Sequence, residues 1–431
     1  MSRIIKSTFL YSLIIFVTLL TVETGLRIYD VVSGDIIFDD LKKYAVNKLG
    51  NRAHPYLQYT ASKLLRGSVH HIEPDIKFET TTNAHGFRTH EFYPKLPGKV
   101  RILLLGDSFF YGYNANDNET IQGVLEKRFH TDVSKDVEVF SLGVASYSSV
   151  RYAALARIYF EYLKPDIVVV APDQSDFGED VRRKDDYILD ADGYPFVLKQ
   201  FAKLVGLQSG DTEIAFTHER EMVLKDVSDS WKILVRAGSS LVNRAWEFQR
   251  GLKSKKNDAA DYENLSIIKY EKLLDAYGPD ISKSPYQNLW GNIIPYDLPT
   301  ALEAYKGTYT NLEYVQLKTR EVNADLFLSS YPYSWMVQLN QAMAYQANHY
   351  KIQIDFRGNR VHPNLMDNFS KRLGVPHLNS YPVFERDGGD NWGNWDPHFN
   401  ARGYALYANY LFDQIKARVE EKLNLAQADN G

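Results

Sequence analysis

Two short segments hold the residue types of a nucleophilic centre. Ser108 follows Gly106 and Asp107 directly after an apolar run, and His398 stands two residues beyond Asp396 in Trp395-Asp396-Pro397-His398-Phe399-Asn400. A serine hydroxyl becomes a nucleophile only beside a base. His398 is the best candidate for that base, and a carboxylate as near as Asp396 can orient the imidazole and stabilise it when protonated. Ser108 and His398 lie 290 residues apart, so only the fold can join them. Attack on an acyl carbon builds an oxyanion that needs hydrogen-bond donors. The backbone N–H groups of Ser108 and Gly143 are placed for this, each following a strand. A third donor is expected from the loop Pro172-Asp173-Gln174-Ser175-Asp176-Phe177.

These residues need a rigid scaffold, and the apolar patterning supplies one. VRILLL (100–105), DVEVFSL (136–142) and DIVVVA (166–171) read as strands buried on both faces. Between them run helical patterns: Ile121, Val124, Leu125 and Phe129, then Leu155, Ile158, Tyr159 and Tyr162. Strand and helix in alternation predict right-handed crossovers and a parallel sheet. The rhythm breaks after residue 181, where Asp192-Gly193 between two apolar stretches signals a hairpin. It returns with a helix near 310–322, the strand ADLFLS (324–329), helices over 335–348 and 364–373, a short strand at 376–379 and a closing helix over 401–420. The division is an N-terminal segment 1–29, a linker or cap over 30–97, one α/β/α domain over 98–420 interrupted by an insertion at about 181–310, and a polar tail over 421–431.

Composition narrows the function classes. The 431 residues carry 50 Lys+Arg against 54 Asp+Glu, a formal charge of −4 that does not favour a nucleic-acid binder. With no cysteine, thiolate metal sites, iron–sulfur clusters, disulfides and a cysteine nucleophile are excluded. Histidines and carboxylates show no metal-ligand spacing, and neither a dinucleotide fingerprint nor a P-loop occurs, so no cofactor or metal is implied. Residues 7–22 are uncharged behind Arg3 and Lys6 and end at Glu23. The run lacks a small-residue cleavage site, which favours an uncleaved single-pass anchor over a removed signal peptide. The two cations would stay cytoplasmic, placing the rest on the periplasmic or other extracytoplasmic side. A helix over 230–250 mixes Trp231, Leu234, Leu241 and Trp246 with Lys232, Arg236, Arg244 and Arg250; the simpler reading is a packed helix with a solvated face, the other a membrane-surface helix.

Gly106-Asp107-Ser108, Gly143, and Asp396 with His398 together resemble the successive blocks of the SGNH hydrolase superfamily, the GDSL-like lipases and esterases. NAHGFR (83–88) and HFNARGYALYA (398–408) are similar to segments of membrane-anchored bacterial members associated with cell-envelope polysaccharides. The resemblance implies a flavodoxin-like three-layer sandwich with a five-stranded parallel sheet. It implies Ser108 as nucleophile, His398 as base, Asp396 as its orienter, and an oxyanion hole of Ser108, Gly143 and a third-block residue, with Asp107 and Asp176 supporting the site. The family's third block carries an asparagine; here Ser175 takes its place, with Gln174 as a substitute donor. The implied substrate is an O-acyl ester, of an envelope carbohydrate above all. Resolution by water makes an esterase or deacetylase. Resolution by a sugar hydroxyl makes an O-acyltransferase, with polysaccharide assembly machinery as partner. A lipid esterase at the membrane surface and an impaired binding or assembly module docking through the insertion are the remaining readings.

Overall fold

The computed structural model describes residues 11, 17–21, 52–54, 56–70, 77–199, 268–269, 298–338, 354–355, 357–393 and 397–428. The chain divides into two compact units, Met1–Arg52 with Glu221–Asp258, and Ala53–Arg220 with Ala259–Gly431. All elements below belong to the second. The expected anchor over 1–29 lies outside the described residues except Tyr11 and the helical residues 17–21, and among the described residues no helix is long and apolar enough to cross a membrane. The 230–250 helix and most of the insertion also lie outside them.

Five parallel strands form the central sheet: β1 (Val100–Leu105), β2 (Val137–Ser141), β3 (Ile167–Val170), β4 (Asp325–Ser330) and β5 (His377–Asn379), in the order β2-β1-β3-β4-β5. Every residue of the first three strands is buried. Helices cover both faces, which is why these strands read as apolar runs instead of alternating patterns. The charged exceptions pair with each other: Arg101 stands opposite Glu138 in register and meets its Oε2 at 2.7 Å. The Arg101 guanidinium also donates to the carbonyls of Tyr93 and Leu163.

The helices are α1 (Ser108–Tyr111), α2 (Ile121–Asp132), α3 (Ser149–Leu163), α4 (Gln174–Arg183), α5 (Leu298–Ala304), α6 (Lys306–Glu321), α7 (Ser334–Val337), α8 (Val361–Leu373), α9 (Tyr381–Asp387) and α10 (Ala401–Ala428). α2 and α10 pack together on one face, burying Leu125 and Phe129 against Tyr404, Ala408, Leu411 and Ile415 over Ile102, Leu104 and Val139. α3 packs on α6, and α6 on α8.

α10 runs to Ala428 rather than ending near 420. Glu420, Glu421, Lys422 and Leu423 are good helix formers, and Val419 and Leu423 remain buried, so the helix has reason to continue. Of the helix expected over 335–348, α7 is described and residues 339–348 are not. The Asp192-Gly193 turn joins Tyr187–Leu189 to Pro195–Leu198 in an antiparallel pair, with Gly193 at φ +87°.

The segment ahead of the sheet contains an antiparallel ribbon, Arg66–His70 with Lys77–Thr81, and is tied to the domain by buried polar groups. Arg88, 5% exposed, donates to Asp117 Oδ1 at 2.7 Å and to the carbonyls of Glu79, Gly112 and Ala115 at 2.6–2.8 Å. Tyr59 OH donates to Ala145 O at 2.7 Å, and Tyr147 OH to Tyr59 O at 2.5 Å.

Candidate active site

In this strand order the chain leaves β1 for β2 on one side and later crosses to β3 on the other. The carboxyl ends of β1 and β3 therefore flank the crevice where open α/β sheets place ligands. β1 ends at Leu105, and Gly106-Asp107 lead into the single turn of α1. Asp107 caps that turn: its Oδ1 accepts the Phe109 N–H at 2.9 Å, satisfying one of the donors a helix start leaves free. Gly112 closes it at φ +86° and donates to Ser108 O at 3.0 Å, a backbone shape that favours glycine. The turn is thus fixed at both ends with Ser108 as its first residue.

His398 lies just before α10. Its Nε2 is 2.6 Å from Ser108 Oγ. The imidazole is held by rings: Phe109 at 4.7 Å between centroids and Tyr113 edge-on at 5.0 Å. Ser108 and His398 are each 8% exposed. The fold therefore brings the two together at hydrogen-bonding distance. Asp396 lies outside the described residues.

Gly143 follows β2 and packs against α1. A Cβ there would lie 2.5 Å from Phe110 Cβ and 2.7 Å from the Tyr111 backbone nitrogen. Its N–H meets Ser141 Oγ at a long 3.4 Å, and Ser141 in turn donates to Phe110 O at 2.8 Å. The third-block residues are more committed. The Gln174 amide donates to Tyr381 OH at 2.9 Å and contacts Met336 Sδ. Tyr381 OH lies 3.0 Å from His362 Nδ1, whose Nε2 lies 3.0 Å from Pro172 O. A carbonyl can only accept, so Nε2 carries the hydrogen and Nδ1 accepts from Tyr381. Burial pulls the His362 imidazole down to about 3, keeping it neutral. The Ser175 N–H and hydroxyl both bond Asp173, and the hydroxyl also reaches Tyr333.

Three buried carboxyls surround this crevice: Asp107, Asp173 and Asp176 each offer an oxygen within 4.8 Å of the others. Asp107 receives the Tyr331 hydroxyl on Oδ1 at 3.1 Å and has Ser108 Oγ 3.1 Å from Oδ2. Asp173 receives Tyr333 OH on Oδ2. Asp176 Oδ2 accepts the Tyr152 hydroxyl at 2.7 Å and the Asp173 N–H at 3.0 Å; its Oδ1 has no partner. Burial first, then neighbouring carboxyls, pushes Asp107 up to about 7 and Asp176 well above the carboxylate range; burial also raises Asp173. By distance alone the trio could share a cation, but hydroxyl and amide donors already occupy most of these oxygens, and burial favours the protonated carboxyls.

Asp173, Tyr152, Tyr331 and Tyr333 are site neighbours that sequence reading did not single out. Asp173 stands directly in the loop expected to carry the third donor. Tyr331 and Tyr333 follow β4 as Asp107 follows β1, so the carboxyl end of each parallel strand was the signal available.

No protein-family model and no curated protein matches the chain. Among solved structures it is similar to a psychrotrophic esterase from Pseudoalteromonas sp. (12% identity, 74% of this chain and 98% of that one, TM-score 0.33). It is also similar to an acetylxylan esterase from Geobacillus stearothermophilus (10% identity, 74% and 96%, TM-score 0.33) and a GDSL-like lipase from Bacteroides thetaiotaomicron (10% identity, 74% and 88%, TM-score 0.32).

Proposed function

We propose that the chain is a serine ester hydrolase of the SGNH type, acting on O-acyl groups. The observation that carries this reading is the 2.6 Å contact between His398 Nε2 and Ser108 Oγ at the carboxyl end of β1. Ser108 Oγ attacks the ester carbonyl carbon while its proton passes to His398 Nε2. The backbone N–H groups of Ser108 and Gly143 stabilise the oxyanion, Gly143 exchanging its long contact with Ser141 for the substrate oxygen. Ser175 or Gln174 would join them only by giving up the partners described above. Collapse expels the alcohol, which takes the proton from His398 and leaves an acyl-serine. Water, deprotonated by His398, releases the acid and restores Ser108. Asp396 orients the imidazole in this scheme. A sugar hydroxyl in place of water would make the same cycle an acyl transfer.

The proposed substrate is an acylated cell-envelope carbohydrate. The proposed location is the cytoplasmic membrane, anchored through residues 1–29 with the catalytic unit outside the cytoplasm; protease accessibility of the second unit on intact spheroplasts tests it. Turnover of p-nitrophenyl acetate by the purified full chain, beside Ser108→Ala, tests the chemistry. Wild-type release that falls by about 1000-fold or more in Ser108→Ala supports the reading. Equal inertness of both rejects ester hydrolysis. Added polysaccharide acceptors then separate hydrolysis from transfer by where the acetyl group ends.

A further inference from the structure

Two contacts meet at Ser108 Oγ: His398 Nε2 at 2.6 Å and Asp107 Oδ2 at 3.1 Å. Each requires one hydrogen between its two atoms, and serine brings only one. The second must sit on Nε2 or on Oδ2. On Nε2 it blocks the base, because an imidazole protonated there cannot accept the serine proton. On Oδ2 it completes both bonds: the carboxylic acid donates to Oγ, and the serine hydrogen is directed to Nε2. Asp107 Oδ1 is already taken by two donors, the Phe109 N–H at 2.9 Å and the Tyr331 hydroxyl at 3.1 Å, which leaves Oδ2 as the oxygen to hold a proton.

We propose that Asp107 acts as a neutral carboxylic acid that donates to Ser108 Oγ and thereby aims the serine proton at His398. Asp107 is a positioning residue in this role, and the inference rests on Ser108 being the nucleophile. The groups around it favour the neutral form. Asp173 and Asp176 approach from the end of β3 and the start of α4, Tyr331 and Tyr333 from the end of β4, Tyr152 from α3, and His398 from the loop before α10. Two of these are carboxyls, and three charged carboxylates within 4.8 Å in a buried site would repel one another strongly, so the trio favours protons, and the two contacts at Ser108 Oγ are what assign one of them to Asp107. Burial and then Asp173 hold Asp107 up to about 7, while His398, the Phe109 N–H and the Ser108 hydroxyl act the other way. Once ionised, Asp107 becomes an acceptor and draws the serine hydrogen from His398. Activity therefore declines on the alkaline side as this carboxyl loses its proton.

Asp107→Asn fixes the neutral pattern. Its carbonyl can take the Phe109 and Tyr331 donors, and its NH2 can donate to Ser108 Oγ. With the full chain and p-nitrophenyl acetate, wild-type kcat/KM is expected to fall about tenfold per pH unit above the Asp107 transition, and the Asn variant to change less than about twofold over that range. Asp107→Ala should be slow at every pH. An alkaline fall that persists in Asp107→Asn, or that is absent from wild type, overturns the proposal. Infrared titration reads the same proton without turnover. Wild type should show a protonated-carboxyl band, absent from Asp107→Asn, that bleaches as pH rises past about 7. No such band overturns the inference even if the esterase is active. An inert wild type that shows the band rejects the esterase reading while upholding the proton on Asp107.

Discussion

At the scale of residues, the site gathers carboxyls whose burial favours the protonated form. Asp176 is the clearest case: buried, close to Asp173 and Asp107, and with Oδ1 unpartnered, its carboxyl is pushed well above the usual range by burial first and those neighbours next. The folded chain then keeps a proton that the unfolded chain has already released, so this group's favourable contribution is full below about pH 4 and declines as pH rises. Asp176→Asn keeps an acceptor for Tyr152 and the Asp173 N–H while removing the ionisable group. Relative to wild type, its stability in urea unfolding should improve with rising pH by about 1.4 kcal/mol per unit above pH 4 until the wild-type carboxyl ionises. A constant difference between the two proteins across pH would refute this. His362 works in the opposite direction. Held neutral down to about 3, it binds fewer protons folded than unfolded, so its contribution is lost as pH falls from about 6.5.

At the scale of elements, Ser108, the proposed nucleophile, is only as well placed as the single turn of α1. That turn is capped by Asp107, closed by Gly112 and backed by Gly143 of the neighbouring loop. Gly143→Ala would set a methyl group 2.6 Å from the Phe110 carbonyl carbon and 2.7 Å from the Tyr111 nitrogen, both backbone atoms that cannot rotate aside. The turn must then shift, and Ser108 with it. The expected result is a loss of about 100-fold in kcat/KM, since displacements near 1 Å at a reacting group cost that much. Labelling of Ser108 by a fluorophosphonate should slow in parallel. Labelling at the wild-type rate would show that the turn tolerates the methyl group.

At the scale of the whole molecule, the segment ahead of the sheet is a structural part of the unit that carries the sheet. Arg88 spans it: one guanidinium fixes the ribbon at Glu79, the residues after α1 at Gly112 and Ala115, and Asp117 ahead of α2. Arg88→Ala strands three carbonyls and a carboxylate at once. A loss of roughly 3 kcal/mol in urea unfolding is expected, with little recovery in Arg88→Lys, because an ammonium cannot make the same forked set of bonds. A change below about 0.5 kcal/mol would place the segment among dispensable surface.

Apolar patterning and motif spacing were enough for the layered α/β character, the five strands of the sheet to within about two residues, and the serine and histidine that meet in it. Strands buried on both faces are apolar but for Ser141 and the paired Arg101 and Glu138, and a parallel sheet exposes its chemistry at strand ends, so Ser108 after VRILLL stood out without a structure. Tertiary structure alone decided what surrounds them. Asp107 and Asp176 were expected to support the site, but their spacing does not say that their oxygens and those of Asp173 come within 4.8 Å of one another. Gln174 and Ser175 looked free to donate, yet packing committed one to Tyr381 and Met336 and the other to Asp173 and Tyr333. Local periodicity records which face of an element is buried. Which buried polar group meets which is set by the juxtaposition of β1, β3 and β4, and the protons that the carboxyls hold follow from that juxtaposition.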